Sequence, residues 1–317
     1  MARWRVLIGS RVFGTASPEH LARLADSDCE VMPNTLGRSY RAAELLEALR
    51  GVDAIITGTD ELTAEVINTA DRLKTIAKHG VGVDNIDLEA AHARGIIVTA
   101  TPGAIQDSVA DLTLALLLAL ARHIIPAHLQ VTAGGWQGFP GIELRDKTLG
   151  IVGLGRIGKE VCKRAQAFGM RVVAHDPRPD EAFAAAHHVT FLPLLDLLAR
   201  SDIVSLHAGI SGQDRPLLGS AELLEMKPGA LLINTARGHL VDEKALEQAL
   251  RKGRLGGAGL DVFATEPPVD SPLLNLPNVV LTPHMASMTV EGLRRIGAMT
   301  VENCLRALHG DPPLFQL

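Results

Sequence analysis

A chain of 317 residues with 47% hydrophobic and 21% charged side chains and a mean hydropathy of +0.17 has the composition of a globular protein. Dominant disorder would need low hydrophobicity and high net charge. With 31 Lys and Arg against 36 Asp and Glu the net charge is −5, so no cationic surplus is on hand to neutralise phosphates, which argues against nucleic acid as a partner. Aromatic residues make up only 3%, which argues against a carbohydrate or single-strand surface built on stacking and leaves the core to Ala, Val, Leu and Ile.

At roughly 100–200 residues per domain, the length suggests two domains. The N-terminal MARWRVLIGS has a short apolar run before Gly9 and Arg11 and reads as a first strand, not a secretion signal. Further along, candidate strands fall at 4–8, 54–57, 75–78, 96–99, 148–152, 171–175, 203–206, 230–234, 257–260 and 279–281. Helical patterns fall between them at 18–25, 42–49, 88–93, 108–122, 158–168, 194–199, 220–226, 243–252 and 290–308. This alternation predicts an α/β fold of two doubly wound, parallel-sheet (Rossmann-like) domains with a cleft between them. Turn signals at Thr101–Pro102–Gly103 and near Pro283 to Ser287 mark the boundaries. They divide the chain into residues 1–100 plus 288–317, the substrate or lid domain, and residues 101–287, the cofactor domain. The longest apolar stretch, 112–121, is well short of the roughly 20 residues a membrane span needs, and Asp111, Arg122 and His123 bracket it. It reads as a buried or subunit-contact helix, and no membrane partner is expected. Cys29, Cys162 and Cys304 are odd in number and far apart, which predicts no disulfide framework, no metal site and a reducing cytoplasm.

The clearest local signal is KTLGIVGLGRIGKEV, in which Gly153-x-Gly155-x-x-Gly158 follows an apolar strand and opens a helix. Gly153 allows the tight turn, Gly155 lets the backbone approach a pyrophosphate, Gly158 permits close helix–strand contact, and the helix N-terminus supplies N–H groups. A second strand, RVVAH, ends at Asp176, 18 residues beyond Gly158. An acid there accepts hydrogen bonds from the adenosine ribose and repels a 2′-phosphate, which favours NAD over NADP. Arg178, two residues on, leaves room for a 2′-phosphate in another rotamer.

Three polar groups follow apolar runs in the second half: Arg237 after LLIN, Glu266 after GGAGL, and His284 after VVLTP. The carboxyl ends of parallel strands form the ligand crevice, so the three can converge. A histidine oriented by a carboxylate serves as general acid/base, and an arginine holds a substrate carboxylate bidentately. With a nicotinamide cofactor the set suffices to move a hydride between a 2-hydroxy and a 2-keto acid. Taken singly, each residue also has a structural reading: a surface arginine, a helix-start acid before Pro267, a satisfied histidine after a proline.

The strings KHGVGVDNID (78–87), TPGAIQDSVADLTLALLLALAR (101–122), GLGRIG (153–158), INTARGHLVDE (233–243), GLDVFATEPP (259–268) and TPHMAS (282–287) resemble the D-isomer specific 2-hydroxyacid dehydrogenases, most of all their short, phosphoglycerate dehydrogenase-like branch. The resemblance implies that Arg237 binds the substrate carboxylate and C2 oxygen, and that His284 exchanges the hydroxyl proton with Glu266 as its partner. Asp261 would sit near the nicotinamide carboxamide, and Thr235 and Ala236 would line the nicotinamide side. Arg156 and Ile157 would supply pyrophosphate contacts, and Ser108 would lie near the cofactor. The loop Gly80–Val81–Gly82 would offer N–H groups to the substrate carboxylate. A homodimer built through the cofactor domain and closure of the two domains over substrate are also implied. Glutamate beside the histidine, where related formate dehydrogenases have glutamine, argues for a hydroxy-acid substrate. Glyoxylate or hydroxypyruvate reductases and NAD-sensing corepressor-like binding proteins share these motifs and stay as alternatives.

There are departures. Ile105 stands where relatives often have asparagine. Gly209 and Gly212 replace two prolines of the adenine-side loop, which predicts a more mobile wall and weaker NAD affinity. The chain stops at Leu317 without the C-terminal regulatory domain of serine-sensitive relatives, so feedback inhibition of that kind is not expected. Lys78 stands where phosphoglycerate-using relatives carry a basic residue. It either meets a substrate phosphate or second carboxylate, or is a strand-end lysine in water.

Overall fold

The computed structural model describes residues 3–209 and 215–317. By contacts the chain divides into two units, residues 1–105 with 287–317, and residues 106–286.

In chain order the first unit begins with β1 (Trp4–Ile8), α1 (Glu19–Asp26), β2 (Cys29–Met32), α2 (Ala42–Ala48), β3 (Ala54–Thr57), α3 (Ala64–Thr69), β4 (Thr75–Lys78), α4 (Leu88–Ala93) and β5 (Ile97–Thr99). The second unit holds α5 (Gln106–Ala121), α6 (Ile124–Thr132), β6 (Thr148–Val152), α7 (Arg156–Ala167), β7 (Arg171–His175), α8 (Glu181–Ala186), β8 (Thr190–Phe191), α9 (Leu194–Arg200), β9 (Ile203–Leu206), α10 (Ser220–Glu225), β10 (Ala230–Asn234), α11 (Glu243–Arg251), β11 (Leu255–Leu260) and β12 (Val279–Leu281). The chain then returns to the first unit with α12 (Val290–His309).

The first unit carries a five-stranded sheet in the order β2-β1-β3-β4-β5, every pairing parallel. Its strands are the near-continuous apolar runs that a sheet covered on both faces requires: β3 and β4 have every residue buried. One face packs Leu45 of α2, Leu49 just after it, and Val66 and Ile67 of α3. The other packs Leu24 of α1 with Val301, Cys304 and Leu308 of α12. Side-chain caps start the helices where the sequence offers them: Asp87 accepts from Ala90 N–H at α4, and Thr289 from Gly292 N–H at α12.

The second unit carries a seven-stranded parallel sheet in the order β12-β11-β10-β9-β6-β7-β8. Strand order reverses between β6 and β9, so a crevice opens beyond their carboxyl ends, where the glycine motif sits. The apolar α5 packs in the core with β6, β10 and α7, its Leu114, Leu116, Leu117 and Leu120 all buried. Two parallel-sheet α/β units are therefore what the strand and helix alternation predicted.

Strands β2 and β8, and helices α3, α6 and α8, have no counterpart in the sequence reading. Both missed strands lie at sheet edges, one carries Glu30 and the other has two residues, so neither presents the long apolar run of a central strand. Gly209 is described and exposed, whereas Gly212 lies outside the described residues. All three cysteines are buried and unpaired. Among the described residues no helix alone is long and apolar enough to cross a membrane. Helices α5 and α6 pass that test only as a pair bent by 63°.

Helix α6 buries none of its residues. Ile124, Ile125, Leu129 and Val131, then Trp136, Phe139 and Ile142 beyond it, are all exposed, and residues 124–142 contain no charged side chain. Seven large apolar side chains are thus exposed on this segment.

Candidate active site

Residues at the carboxyl ends of β6, β7, β10, β11 and β12 build the site in the second unit. At β6 the glycine motif turns as its sequence requires. Gly153 has φ +94°, and a Cβ there would stand 2.6 Å from Ala208 N. At Gly155 an added Cβ would meet no atom within 4 Å, so the backbone faces open space at the start of α7. Asp176 follows β7; its Oδ2 accepts Leu154 N–H at 2.8 Å and its Oδ1 accepts Arg178 N–H at 2.9 Å. It thereby ties the glycine turn to the end of β7, and each oxygen keeps a second lone pair for another donor. Arg156 is exposed and Ile157 half-buried at the first turn of α7. After β9, His207 pairs its Nε2 with Ser205 Oγ at 2.8 Å, while its buried Nδ1 has no hydrogen-bond partner among the described residues. An open glycine cradle, an acid at the ribose position and an orphaned buried nitrogen beside the turn fit a dinucleotide.

At β10, Asn234 organises the turn: its Nδ2 donates to Arg237 O at 2.8 Å and its Oδ1 accepts Ala236 N–H at 3.0 Å. Thr235 is buried with its Oγ1 3.0 Å from Thr113 Oγ1 on α5, one helical turn and a half beyond the buried Ser108. Arg237 donates to Ala236 O at 2.7 Å. The next residue must be glycine, since a Cβ on Gly238 would stand 1.8 Å from the Phe263 carbonyl carbon. That close approach brings the Arg237 turn against the segment carrying Glu266.

Glu266 accepts Phe263 N–H on Oε1 at 3.1 Å and pairs through Oε2 with His284 Nδ1 at 2.7 Å. Since a carboxylate only accepts, the Nδ1 carries the proton and Nε2 is left to exchange one with a ligand. The bond to Glu266 is the strongest influence on His284 and raises its pKa above the ordinary 6.5; the charges of Glu266 and Asp261 add to this, against burial and Arg237. For Glu266 burial opposes ionisation, but His284, the Phe263 N–H and the Arg237 charge outweigh it and hold its carboxyl below the ordinary value. The three side chains thus sense one another, and the structure brings together the trio that the sequence put forward.

His284 sits in the left-handed region with φ 50°, and Asp261 surrounds it with bonds. Fully buried, Asp261 takes Thr282 Oγ1 (2.6 Å) and Met285 N–H (2.9 Å) on Oδ1 and Ala286 N–H (2.9 Å) on Oδ2, while its own carbonyl accepts His284 N–H at 2.9 Å. This clamp on the histidine loop was not foreseen. Asn234 and Thr282 were passed over as well; the signal available was a polar residue closing each apolar run, LLIN and VVLT.

In the first unit, Lys78 is not a lysine in water. It is 6% exposed and donates to Gly58 O and to Asn85 Oδ1 (2.6 Å), because β4 is buried on both faces and its ammonium must find acceptors inside. Gly80 O accepts both Thr101 N–H and Thr101 Oγ1–H at 3.0 Å, leaving Val81 exposed and Gly82 half-buried at the loop tip. Among the described residues no group of three or more His, Cys, Asp or Glu could hold a metal ion.

Residues 114–286 match the family described as D-isomer specific 2-hydroxyacid dehydrogenase, NAD binding domain. The chain is 44% identical over 273 residues to a D-3-phosphoglycerate dehydrogenase of Methanocaldococcus jannaschii, covering 84% of this chain but 52% of that one, so it spans about half that relative's length. It is 43% identical over 277 residues to a glyoxylate reductase of Korarchaeum cryptofilum, covering 85% of this chain and 83% of the relative. A solved protein from Thermus thermophilus superposes with a TM-score of 0.89 at 43% identity over 99% of both chains. The glycine turn with its acid, the Arg237, Glu266 and His284 cluster, and these matches together establish that the chain belongs to the D-isomer specific 2-hydroxyacid dehydrogenase family and carries that family's NAD-binding domain.

Proposed function

We propose that the chain is an NAD-dependent oxidoreductase that moves a hydride between C2 of a small D-2-hydroxy acid, which includes 3-phosphoglycerate-like acids, and NAD. The observation that carries this reading is the 2.7 Å His284–Glu266 pair beside Arg237 in an NAD-binding domain. NAD, held at the Gly153–Gly158 turn with its ribose on Asp176, supplies the hydride acceptor or donor. Arg237 binds the substrate carboxylate and polarises the C2 oxygen. His284 Nε2 takes the C2 hydroxyl proton in oxidation and returns it in reduction, and Glu266 keeps the ring oriented and stabilises its charge. Arg156, Ile157 and Ser108 serve the cofactor, Thr235 and Ala236 line its nicotinamide side, and Asp261 fixes the histidine loop there. Val81 and Gly82 offer backbone N–H groups to substrate from residues 1–105, the substrate-binding unit; Lys78 supports that loop from within.

A second reading, a reductase of glyoxylate or hydroxypyruvate, draws on the raised pKa of His284, since the bond to Glu266 favours the protonated ring that reduction needs as a donor. The exposed, uncharged run 124–142 is the surface through which two copies pair as a homodimer. Three buried unpaired cysteines fit a reducing, cytoplasmic setting.

The test is a panel of D- and L-2-hydroxy acids and 2-keto acids followed by NADH absorbance, with NADP in parallel. Turnover of D-acids with NAD is the expected result. Tight NADH binding with no turnover of any acid would replace the enzyme by an NAD-sensing binding protein.

A further inference from the structure

At the amino ends of β6, β7 and β8, the end of the sheet away from the glycine turn, the second unit has a cleft of about 470 Å³, a size that suits a small molecule. It opens because β8 is only two residues long. Pairing of β7 with β8 begins at Val173 and Thr190, so Arg171 and Val172 have β6 on one side and no strand on the other. The five residues of β6, roughly 16 Å of strand, separate Thr148 in the cleft from the glycine turn.

Two kinds of group line this cleft. Met170 and Val172, both buried, and the half-buried Val173 give it apolar surface. Arg171, Arg200 and His188 give it donors, and no carboxylate lines it among the described residues. Arg171 Nη2 donates to Asp146 O at 2.9 Å, which steadies the guanidinium and leaves its other N–H groups unspent. Arg200, the last residue of α9, is exposed, and among the described residues its side chain makes no ion pair or hydrogen bond. Gln166 Nε2 donates to His187 O and so holds the turn in which His188 takes a left-handed backbone, φ 51°. The acid that follows α9, Asp202, is committed elsewhere: its Oδ1 meets Lys227 Nζ at 2.9 Å and its Oδ2 accepts Thr148 N–H at 2.8 Å. A cleft at α1 and α12 in the other unit lacks this surplus, because its Arg23 and Arg306 are both paired with Glu302.

We infer that this cleft is a binding site for a small organic anion, a carboxylate or phosphate ester with a short apolar body, separate from the cofactor site and open to its ligand while NAD is bound. Two guanidinium groups in one cleft with no carboxylate between them repel each other. An oxyanion removes that repulsion and accepts their N–H groups in the planar fork that arginine offers. The Met170, Val172 and Val173 surface gains by covering an apolar body, whereas a bare ion would leave it wet.

The test is calorimetric titration of the full chain, free and saturated with NAD, with benzoate, phenyl phosphate, inorganic phosphate, benzyl alcohol and benzylamine. Benzoate or phenyl phosphate should bind equally well with and without NAD, and the tighter of the two tells carboxylate from phosphate. Inorganic phosphate should bind roughly tenfold or more weakly for want of the apolar body, and benzyl alcohol and benzylamine should not bind. Arg200→Gln should weaken the favoured anion roughly 10- to 100-fold, the scale of a hydrogen bond to a charged group, at unchanged Tm because its side chain makes no internal bond. Arg200→Lys should recover part of the affinity, and Arg237→Gln should leave it as in wild type, which keeps this cleft apart from the substrate carboxylate. The inference is overturned if neither aromatic anion binds, if inorganic phosphate or benzyl alcohol binds as tightly, if NAD displaces the anion, or if its affinity follows Arg237→Gln and not Arg200→Gln.

Discussion

Replacing Asp261 by Asn isolates what holds the catalytic loop in place. The carboxylate is fully buried and receives three donors, Thr282 Oγ1, Met285 N–H and Ala286 N–H. An amide of the same shape has one acceptor oxygen. If that oxygen stays at the Oδ1 position it keeps Thr282 and Met285 but turns an NH2 onto Ala286 N–H; flipped, it keeps Ala286 and opposes Met285 N–H. Either way one buried backbone donor is orphaned and the remaining bonds lose their charge assistance, which costs about 2–3 kcal/mol. For a unit of this size each kcal/mol moves Tm by roughly 2–4 °C, so a drop of about 4–12 °C is expected in thermal unfolding. The same bonds hold His284 in its left-handed backbone conformation against about 1–3 kcal/mol of strain. With the clamp loosened the ring drifts from Glu266, and a displacement on the order of 1 Å lowers kcat/KM about 100-fold. A variant with wild-type Tm and wild-type kcat/KM would refute the clamp.

Three other perturbations probe separate parts of the site. His284→Ala should lower kcat by about 10²–10⁴-fold. Glu266→Gln removes the main cause of the raised His284 pKa, so the pH at which keto-acid reduction falls off should move down; an unmoved limb in the kcat/KM profile would detach Glu266 from the histidine. Gly155→Ala should leave the Tm of the free protein alone, because its Cβ meets nothing, yet weaken NAD roughly tenfold or more by calorimetry, whereas Gly153→Ala should lower Tm itself. His79 and His207 are both pushed down to about 3 by desolvation, below the 6.5 of an unfolded chain. The unfolded state therefore takes up protons between those values. Stability from these two groups is complete above about pH 6.5 and declines as pH falls toward 3, by on the order of 2 kcal/mol each at pH 5 in urea titrations. His79→Gln should flatten that decline.

Central strands were legible in the sequence because a strand buried on both faces is a mostly apolar run: 148–152, 203–206 and 230–234 match residue for residue, as does the half-buried 171–175 with its apolar centre. The glycine motif was legible because each glycine answers a local steric demand. The Arg237, Glu266 and His284 trio was legible only as polar groups past strand ends, and its assembly depends on Gly238 admitting the Phe263 backbone, a contact between residues 25 apart that no local pattern encodes. Lys78 stayed open in the sequence between a substrate contact and a solvated strand end because its acceptors, Gly58 O and Asn85, come from loops that no local pattern brings to it. Asp261 drew attention through family likeness, whereas its three bonds to 282–286 became visible only in three dimensions.

Residues 106–286 form one uninterrupted stretch, but the sheet of the other unit is covered on one face by α12, which follows that stretch in the chain. During synthesis the NAD-binding unit can complete its core while Val6, Ile8, Ala54, Ile56 and Ala77 still wait for Val301, Cys304 and Leu308. The first-made half therefore depends on α12 to close its core, and a nascent chain stalled before residue 290 would hold a complete cofactor unit and an open apolar sheet, the species on which chaperones would act.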